Sequence, residues 1–598
     1  MKCLLLPLSA RHACVAPQLS DEQRTVTWRF RKQQSLSRWA EDEEFRFSGV
    51  SNVVGAARAP RELNVSQSEL PRDKRAALEL LTDSETELSG TSPRDLHQLQ
   101  PVRVTPLEQV SVLVARSREA QEGWSHRTLA ERVKPLTQAA KAMLARRNAL
   151  VALVEEEMGK VEAEALFTEA LGPLDAVKGW ARVLGGALKR RPVRLNPLSF
   201  PGKRASVELL PRGVIGIIAP WNFPVSGLYR SVLPALMSGN GVVLKPSEYT
   251  PRASFWFAEV LAEHLPPGLL QVVQGGGPVG EALIDGGIDA CVFTGSTPTG
   301  RRVQVRCAER GIPCSVEMGG KDPAIVFADC NLDRTVAGIT HWALCNVGQA
   351  CGAIEIAYVD RLIADAFVER MREAWQRLRV GPGHGSSTDV GPLANRRQFD
   401  VVCAQIDDAR AKGATVVCGG SPLGEGFWYP PTLLDHCNES MAVVRDETFG
   451  PVLAVVRVDG PGEAIHAANR LSYGLGASLW TGDLARARRL AERLDYGMVS
   501  VNNHAFTGAV TQLPWAGTRG SGFGIANSAL ALPTFLRPRT LVVDRSTKAD
   551  VYWMPYDETL CELGDILADL QKSRVERIWR VPLLFRRRFQ KLRAFFKS

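Results

Sequence analysis

Four short apolar runs constrain this chain more than any other feature. Residues 213–219, 241–244, 271–273 and 290–293 are apolar almost throughout, and each run stops at a proline, a lysine or a glycine-bearing loop. Helical stretches such as 251–264 separate them. A strand apolar on both sides must be buried on both faces, so this alternation predicts an α/β fold, a parallel sheet covered by helices. A second α/β stretch runs over 324–501, and there is no internal repeat. Upstream, Val110, Val114, Leu136, Ala140, Leu150 and Val154 recur at three- and four-residue spacing, which predicts helices over 106–184. Residues 192–211 alternate instead, through Val193, Leu195, Ala205, Val207 and Leu209 around Pro201-Gly202, as a β-hairpin would. Residues 1–99 show little periodicity and carry an acidic run at 41–44, so a weakly ordered extension is expected there.

A chain of 598 residues exceeds one ordinary domain and provides for two or three. Its twelve cysteines include no CxxC pair, which argues against a disulfide framework and a zinc cluster, and no metal site is expected. Most should be small buried hydrophobes, and one a nucleophile. No window is apolar enough to cross a bilayer, and the first sixteen residues are too broken for a secretory signal, so a cytoplasmic protein is expected. The net charge of +9 is concentrated at the end: nine Lys/Arg stand against Glu576 alone between Ser573 and Ser598. The body is near neutral, and no nucleic-acid partner is expected.

In a doubly wound sheet, ligands bind outside the carboxyl ends of the strands. Asn222, Lys245, Glu248 and Gly295-Ser296 occupy those ends. The Gly-Ser turn opens a helix over 301–309; it suits a phosphate, though such turns also start ordinary helices.

Six segments carry a resemblance. Pro220-Trp-Asn-Phe-Pro224, Leu244-Lys-Pro-Ser-Glu248, Phe293-Thr-Gly-Ser-Thr-Pro-Thr-Gly300, Val316-Glu-Met-Gly-Gly-Lys-Asp-Pro323, Asn346-Val-Gly-Gln-Ala-Cys351 and Glu447-Thr-Phe-Gly-Pro451 resemble, in order and spacing, the signature segments of the aldehyde dehydrogenase superfamily. The resemblance covers roughly residues 106–545. It implies a Rossmann-like dinucleotide-binding domain (100–192 and 212–317), an α/β catalytic domain (318–529) and a β-strand oligomerisation arm (193–211 with 530–545). A homodimer or homotetramer is implied, since the alternating strands 207–209 and 540–544 would otherwise leave open edges.

By the same resemblance Cys351 is the nucleophile, Asn222 the side-chain donor to the oxyanion (with the backbone N–H of Cys351), and Glu317 the base that activates water. A retained Glu317 points to hydrolytic release, against the acylating and phosphorylating relatives. Trp221, Lys245, Glu248, Gly295, Ser296, Glu447 and Phe449 fall at cofactor-binding positions: Lys245 and Glu248 on the adenosine ribose, Ser296 on the pyrophosphate, Glu447 on the nicotinamide ribose, and Phe449 beside the nicotinamide. A carboxylate near the ribose 2′-OH favours NAD, with NADP open. The reaction implied is oxidation of a small-molecule aldehyde to its acid through a thiohemiacetal and a thioester; a silent scaffold of the same fold is the competing reading. Ile356, Trp515-Ala516-Gly517 and Arg519 depart from the common pattern and leave the substrate open. Ala350 and Gly352 leave room at the nucleophile, and Trp342, Phe506 and Trp515 either line the entrance or are plain core.

In the basic extension, 546–598, Phe585, Phe589, Leu592 and Phe596 recur at helical spacing behind Pro582, among cationic residues. Such a helix either lies on an anionic membrane surface through the 574–598 tail, making the protein peripheral on the inner face, or packs as a solvated helix on the body or a neighbouring subunit.

Overall fold

A computed structural model describes residues 87–196, 200, 202–382 and 387–596. Of the extension expected over 1–99, residues 1–86 lie outside the described residues. The rest is ordered: β1 (Glu87–Leu88) pairs with β2 (Val102–Arg103), and Ser92 and Leu99 are buried. The carbonyls of Pro93 and Arg94 accept the Phe427 N–H and the Trp428 indole N–H, which ties this hairpin to the body. Its hold comes from hydrogen bonds to its backbone carbonyls, which apolar periodicity does not report.

Helices α1 (Leu107–Ser125), α2 (Leu129–Ala145), α3 (Arg147–Met158) and α4 (Gly172–Ala187) follow. Thr128 and Glu131 close a capping box at the start of α2. One turn of π-helix, Ala165–Ala170, precedes α4. Then β3 (Arg191–Val193) and β4 (Lys203–Pro211) form the expected hairpin.

The first sheet alternates β5 (Val214–Ile218), α5 (Ser226–Met237), β6 (Gly241–Lys245), α6 (Pro251–Ala262), β7 (Leu270–Val272), α7 (Gly277–Asp285), β8 (Ala290–Thr294), α8 (Thr297–Glu309) and β9 (Cys314–Glu317). Its order is β7-β6-β5-β8-β9, all parallel. Ile215 and Ile217 face one apolar layer, Val214 and Ile218 the other, as uninterrupted apolar strands require. Strand order reverses between β5 and β8, which opens a crevice at their carboxyl ends.

The second sheet contains β10 (Asp322–Val326), β11 (Ile354–Asp360), β12 (Thr415–Cys418), β13 (Thr432–Asp435), β14 (Val452–Val458), β15 (Gly476–Trp480) and β16 (Met498–Val501) in the order β12-β13-β14-β11-β10-β15-β16. Only the β12–β13 pair is antiparallel. Four longer helices cover it: α9 (Leu332–Leu344), α10 (Ala364–Gln376), α11 (Arg396–Ala411) and α12 (Pro461–Arg470). Ile356, a departure from the common pattern, is wholly buried in β11 against one apolar layer.

Strand β17 (Leu536–Asp544) pairs along the whole of β4, completing a three-stranded antiparallel arm. The chain then forms α13 (Glu558–Gln571) and α14 (Val581–Phe595). The tail helix is present with Pro582 in its first turn, but its predicted apolar stripe is not open to solvent. Leu592 is buried and Phe585 and Phe589 half-buried, Phe585 packing on the apolar cluster shared with α13, which leaves only Phe596 of the four exposed. The periodicity located a helix face, and α13 takes up part of it.

Candidate active site

Strand β9 leads directly into β10, so the carboxyl ends of the first sheet meet the amino ends of the second. Asn222 follows β5 and Glu317 ends β9; Cys351 precedes β11, and Glu447 and Phe449 precede β14.

The loops bearing Asn222 and Cys351 are bonded to each other. The Asn222 amide donates to the Gln349 carbonyl at 3.0 Å. The Asn346 amide donates to the Asn222 carbonyl at 2.9 Å and to the Gln349 carbonyl at 3.0 Å. Asn346 and Val347 hold φ of 55° and 61°, a left-handed conformation that is costly for valine. Glu164 Oε1 accepts the Asn346 N–H at 2.9 Å, and Gln349 anchors the loop end by accepting the Ala394 N–H. Beneath lies a fully buried ion pair: Lys160 Nζ is 2.5 Å from Glu169 Oε1 and donates to the Asn222 carbonyl at 3.2 Å. Glu169 Oε2 accepts the N–H groups of Val225 and Ser226, free donors at the start of α5.

Cys351 lines two cavities, as does Asn222. Burial pushes its thiol up to about 12, with the Glu317 charge adding to the rise and the Arg230 guanidinium opposing it. Burial also pushes Glu317 up to about 7, again opposed by Arg230. Arg230, on α5, stacks 5.4 Å from the centre of the Trp515 ring. Its Nε and the Trp515 Nε1 are buried with no hydrogen-bond partner among the described residues. Sequence reading missed Arg230, although a signal was present: it is the only charged residue in the helix SGLYRSVLPALM.

The first cavity, about 870 Å³, is bordered by every predicted cofactor position: Trp221, Lys245, Glu248, Gly295, Ser296, Glu447 and Phe449. Lys245 is buried and held 3.5 Å from Glu248, and burial pulls its ammonium below the ordinary lysine range. Ser296 stands at the N-cap of α8 but turns its hydroxyl to Thr299 at 3.1 Å, leaving the first N–H groups of the helix without a side-chain cap. Gly277 and Gly280 give the opposite wall no side chains. At the inner end Glu447 accepts the Gly320 N–H at 3.0 Å, and burial with neighbouring Glu355 pushes it up to about 8. A Cβ at Gly319 would lie 2.2 Å from the Glu447 carboxylate, so any larger residue there would displace that carboxylate. Phe449, at φ 52°, meets Trp221 edge-on at 5.4 Å. An uncapped helix start between a Lys–Glu pair and an inner carboxylate suits a dinucleotide.

The second cavity, about 1030 Å³, takes in Glu317, Arg230, Trp342, Phe506 and Trp515. Trp342 is fixed by its indole N–H to Asn503 at 3.0 Å. Phe167 and Phe506, 72% and 45% exposed, are open to solvent along its lining. Thus Cys351 and Asn222 border both chambers, Glu317 opens on the second, and the predicted cofactor residues open on the first.

The sequence profile of the aldehyde dehydrogenase family matches residues 81–541. The chain is 35% identical over 473 residues to a 4,4'-diapolycopene aldehyde oxidase of Methylomonas, covering 79% of this chain and 88% of that protein. An NADP-dependent enzyme of E. coli superposes with a TM-score of 0.74 at 30% identity, covering 77% of this chain and 95% of its own. An aldehyde dehydrogenase of Bacillus cereus in complex with NAD+ superposes with a TM-score of 0.74 at 28% identity, covering 77% and 94%. The chain therefore belongs to the aldehyde dehydrogenase family, oxidoreductases that act on aldehydes.

Proposed function

We propose that this chain oxidises an aldehyde to its carboxylic acid through a covalent thioester on Cys351, with NAD or NADP as the electron acceptor and hydrolytic release. The observation that carries the reading is the place of Cys351 at the junction of a dinucleotide-shaped chamber and an aromatic one, with Glu317 opening on the latter.

The thiol itself is a poor nucleophile at neutral pH because its buried thiolate is disfavoured. Glu317, poised near 7 and coupled to the thiol, takes its proton as sulfur attacks the aldehyde carbon. A C–S bond forms and the carbonyl electrons move to oxygen. One Asn222 amide hydrogen is spent on Gln349, so the other is oriented toward this oxyanion. Lys245, Glu248, Ser296 and Glu447 would hold a nicotinamide nucleotide, with Trp221, Gly295 and Phe449 shaping its chamber. That group would supply the acceptor for the hydride of the former aldehyde carbon, while the oxyanion electrons re-form the carbonyl of a thioester on Cys351. Glu317 passes the thiol proton to solvent; water then attacks the thioester, Glu317 receives one of its protons, the C–S bond breaks, the acid leaves and the Cys351 thiolate is reprotonated.

Both cofactors suit the outer cleft. Glu248 favours an unphosphorylated ribose, while Arg301 and Arg302 line the same chamber and offer cations to a 2′-phosphate. The aromatic walls of the second chamber support aldehydes with a bulky apolar body, in keeping with a relative named for a diapolycopene aldehyde. The arm supports a homo-oligomer: Leu541, Val542 and Val543 are exposed on β17.

The test is a matrix of NAD and NADP against aldehydes of rising chain length, with Cys351→Ala as the blank. Nicotinamide reduction that needs Cys351, yields free acid and needs no coenzyme A supports the reading. Turnover by the variant, or only with coenzyme A, overturns it.

A further inference from the structure

Residues 546–596 lie beyond the segment that matches the family, which ends at residue 541. They fold as an antiparallel helical hairpin: Arg577 pairs with Asp569, Arg580 with Glu562, and Arg588 and Lys591 with Asp557, so ascending positions on one limb meet descending ones on the other. Leu563, Ile566 and Leu584 form its core. Arg588 is buried and donates to the carbonyls of Val551, Trp553 and Pro555, which fixes the approach loop against α14.

With Arg588 facing inward, helical geometry turns Leu583, Arg586, Gln590 and Arg593 outward, and all four are exposed. The turn between the helices adds Val575, Ile578 and Trp579, the last 71% exposed. No helix among the described residues is long and apolar enough to cross a membrane. Arg574, Arg586, Arg587 and Arg593 form no ion pair among the described residues, whereas the acids of α13 that meet the second limb are already matched to Arg577 and Arg580.

We propose that this hairpin docks on an anionic bilayer surface, its turn (Val575, Ile578, Trp579) and Leu583 entering the headgroup–acyl boundary while Arg574, Arg586, Arg587 and Arg593 lie against the headgroups. Two complementary features single out this occupant. The exposed surface sets apolar side chains beside cationic ones, with Glu576 as the one acid of its turn, and a tryptophan stands at its tip, the side chain that favours the interface between headgroups and acyl chains. A second copy of the chain would bring the same unpaired cations face to face, which like-charge repulsion opposes. The surface differs from the one that sequence periodicity selects, because Leu592 is buried, Phe585 and Phe589 are half-buried, and Phe585 packs on the cluster shared with α13. The proposal is independent of the active site, so its failure leaves the aldehyde reading untouched.

The test uses the full chain in vesicle co-sedimentation, with phosphatidylcholine alone and with phosphatidylglycerol added. Two variants are compared: Ile578→Ser/Trp579→Ser, and Arg586→Gln/Arg587→Gln/Arg593→Gln. Unchanged oxidation of a water-soluble aldehyde reports that each is folded. Binding that requires the anionic lipid, weakens with salt and falls about tenfold or more in both variants supports the proposal. Absence of binding to either vesicle, binding indifferent to both variants, or capture of a nucleic-acid oligonucleotide by this face in place of vesicles overturns it.

Discussion

Asn346 holds Asn222 across the cleft: its amide donates to the Asn222 carbonyl at 2.9 Å and also to the Gln349 carbonyl, which the Asn222 side chain itself uses. The loop that ends in Cys351 and the loop that presents Asn222 therefore move as one body. Asn346→Ala removes both bridges and places alanine at φ 55°, a conformation asparagine tolerates better. The expected result is a loss of about 1–3 kcal/mol of stability in denaturant unfolding, together with a kcat lower by about tenfold or more. Asn222→Ala, which removes the donor itself, should lower kcat by about 10²–10³-fold with little change in stability.

Glu317 must be deprotonated to accept a proton from thiol or water. Burial raises it to about 7, so turnover should climb as pH rises through that region and fall away below it. Glu317→Gln should abolish this limb and slow both the first reduction of nicotinamide, read by stopped-flow absorbance, and the release of acid, each by about 10²–10⁴-fold.

Arg230 opposes the upward shift of both Glu317 and Cys351. Arg230→Met removes a positive charge that stabilises both anions, so the rising limb of the pH–rate profile should move to higher pH. A limb that stays in place would show that Arg230 acts on the substrate and not on the thiol and the carboxylate.

The buried pair Lys160–Glu169 supports both the Asn222 carbonyl and the start of α5. Lys160→Met leaves Glu169 buried without its counter-charge, at a cost of about 3–5 kcal/mol in denaturant unfolding. Replacing both, Lys160→Met with Glu169→Gln, should recover part of that stability.

The two sheets were legible because buried parallel strands leave little choice of residue, and runs such as Val214–Ile218 stand out from any solvent-facing pattern. The strand-end rule then reached Asn222, Lys245 and Ser296. It could not reach Cys351, Glu447 or Phe449, which enter from the amino ends of the second sheet; only the motif resemblance pointed to them. Arg230 escaped because no motif flags it and its meaning depends on which way α5 faces. The clamp formed by Asn346, Lys160 and Glu169 joins residues up to 186 positions apart by number, a relation that neither spacing nor composition records. The spacing in the tail marks an amphipathic helix and leaves open whether a membrane or the protein covers it, because the acidic helix α13 that pairs with it shares no period with it.

The central claim is a covalent acyl group on one sulfur. Enzyme incubated with an aldehyde and NAD, acid-quenched within the first turnover and digested, should yield the peptide containing Cys351 heavier by the acyl group. An acyl group on another of the twelve cysteines, or acid formed with none on Cys351, would contradict the account.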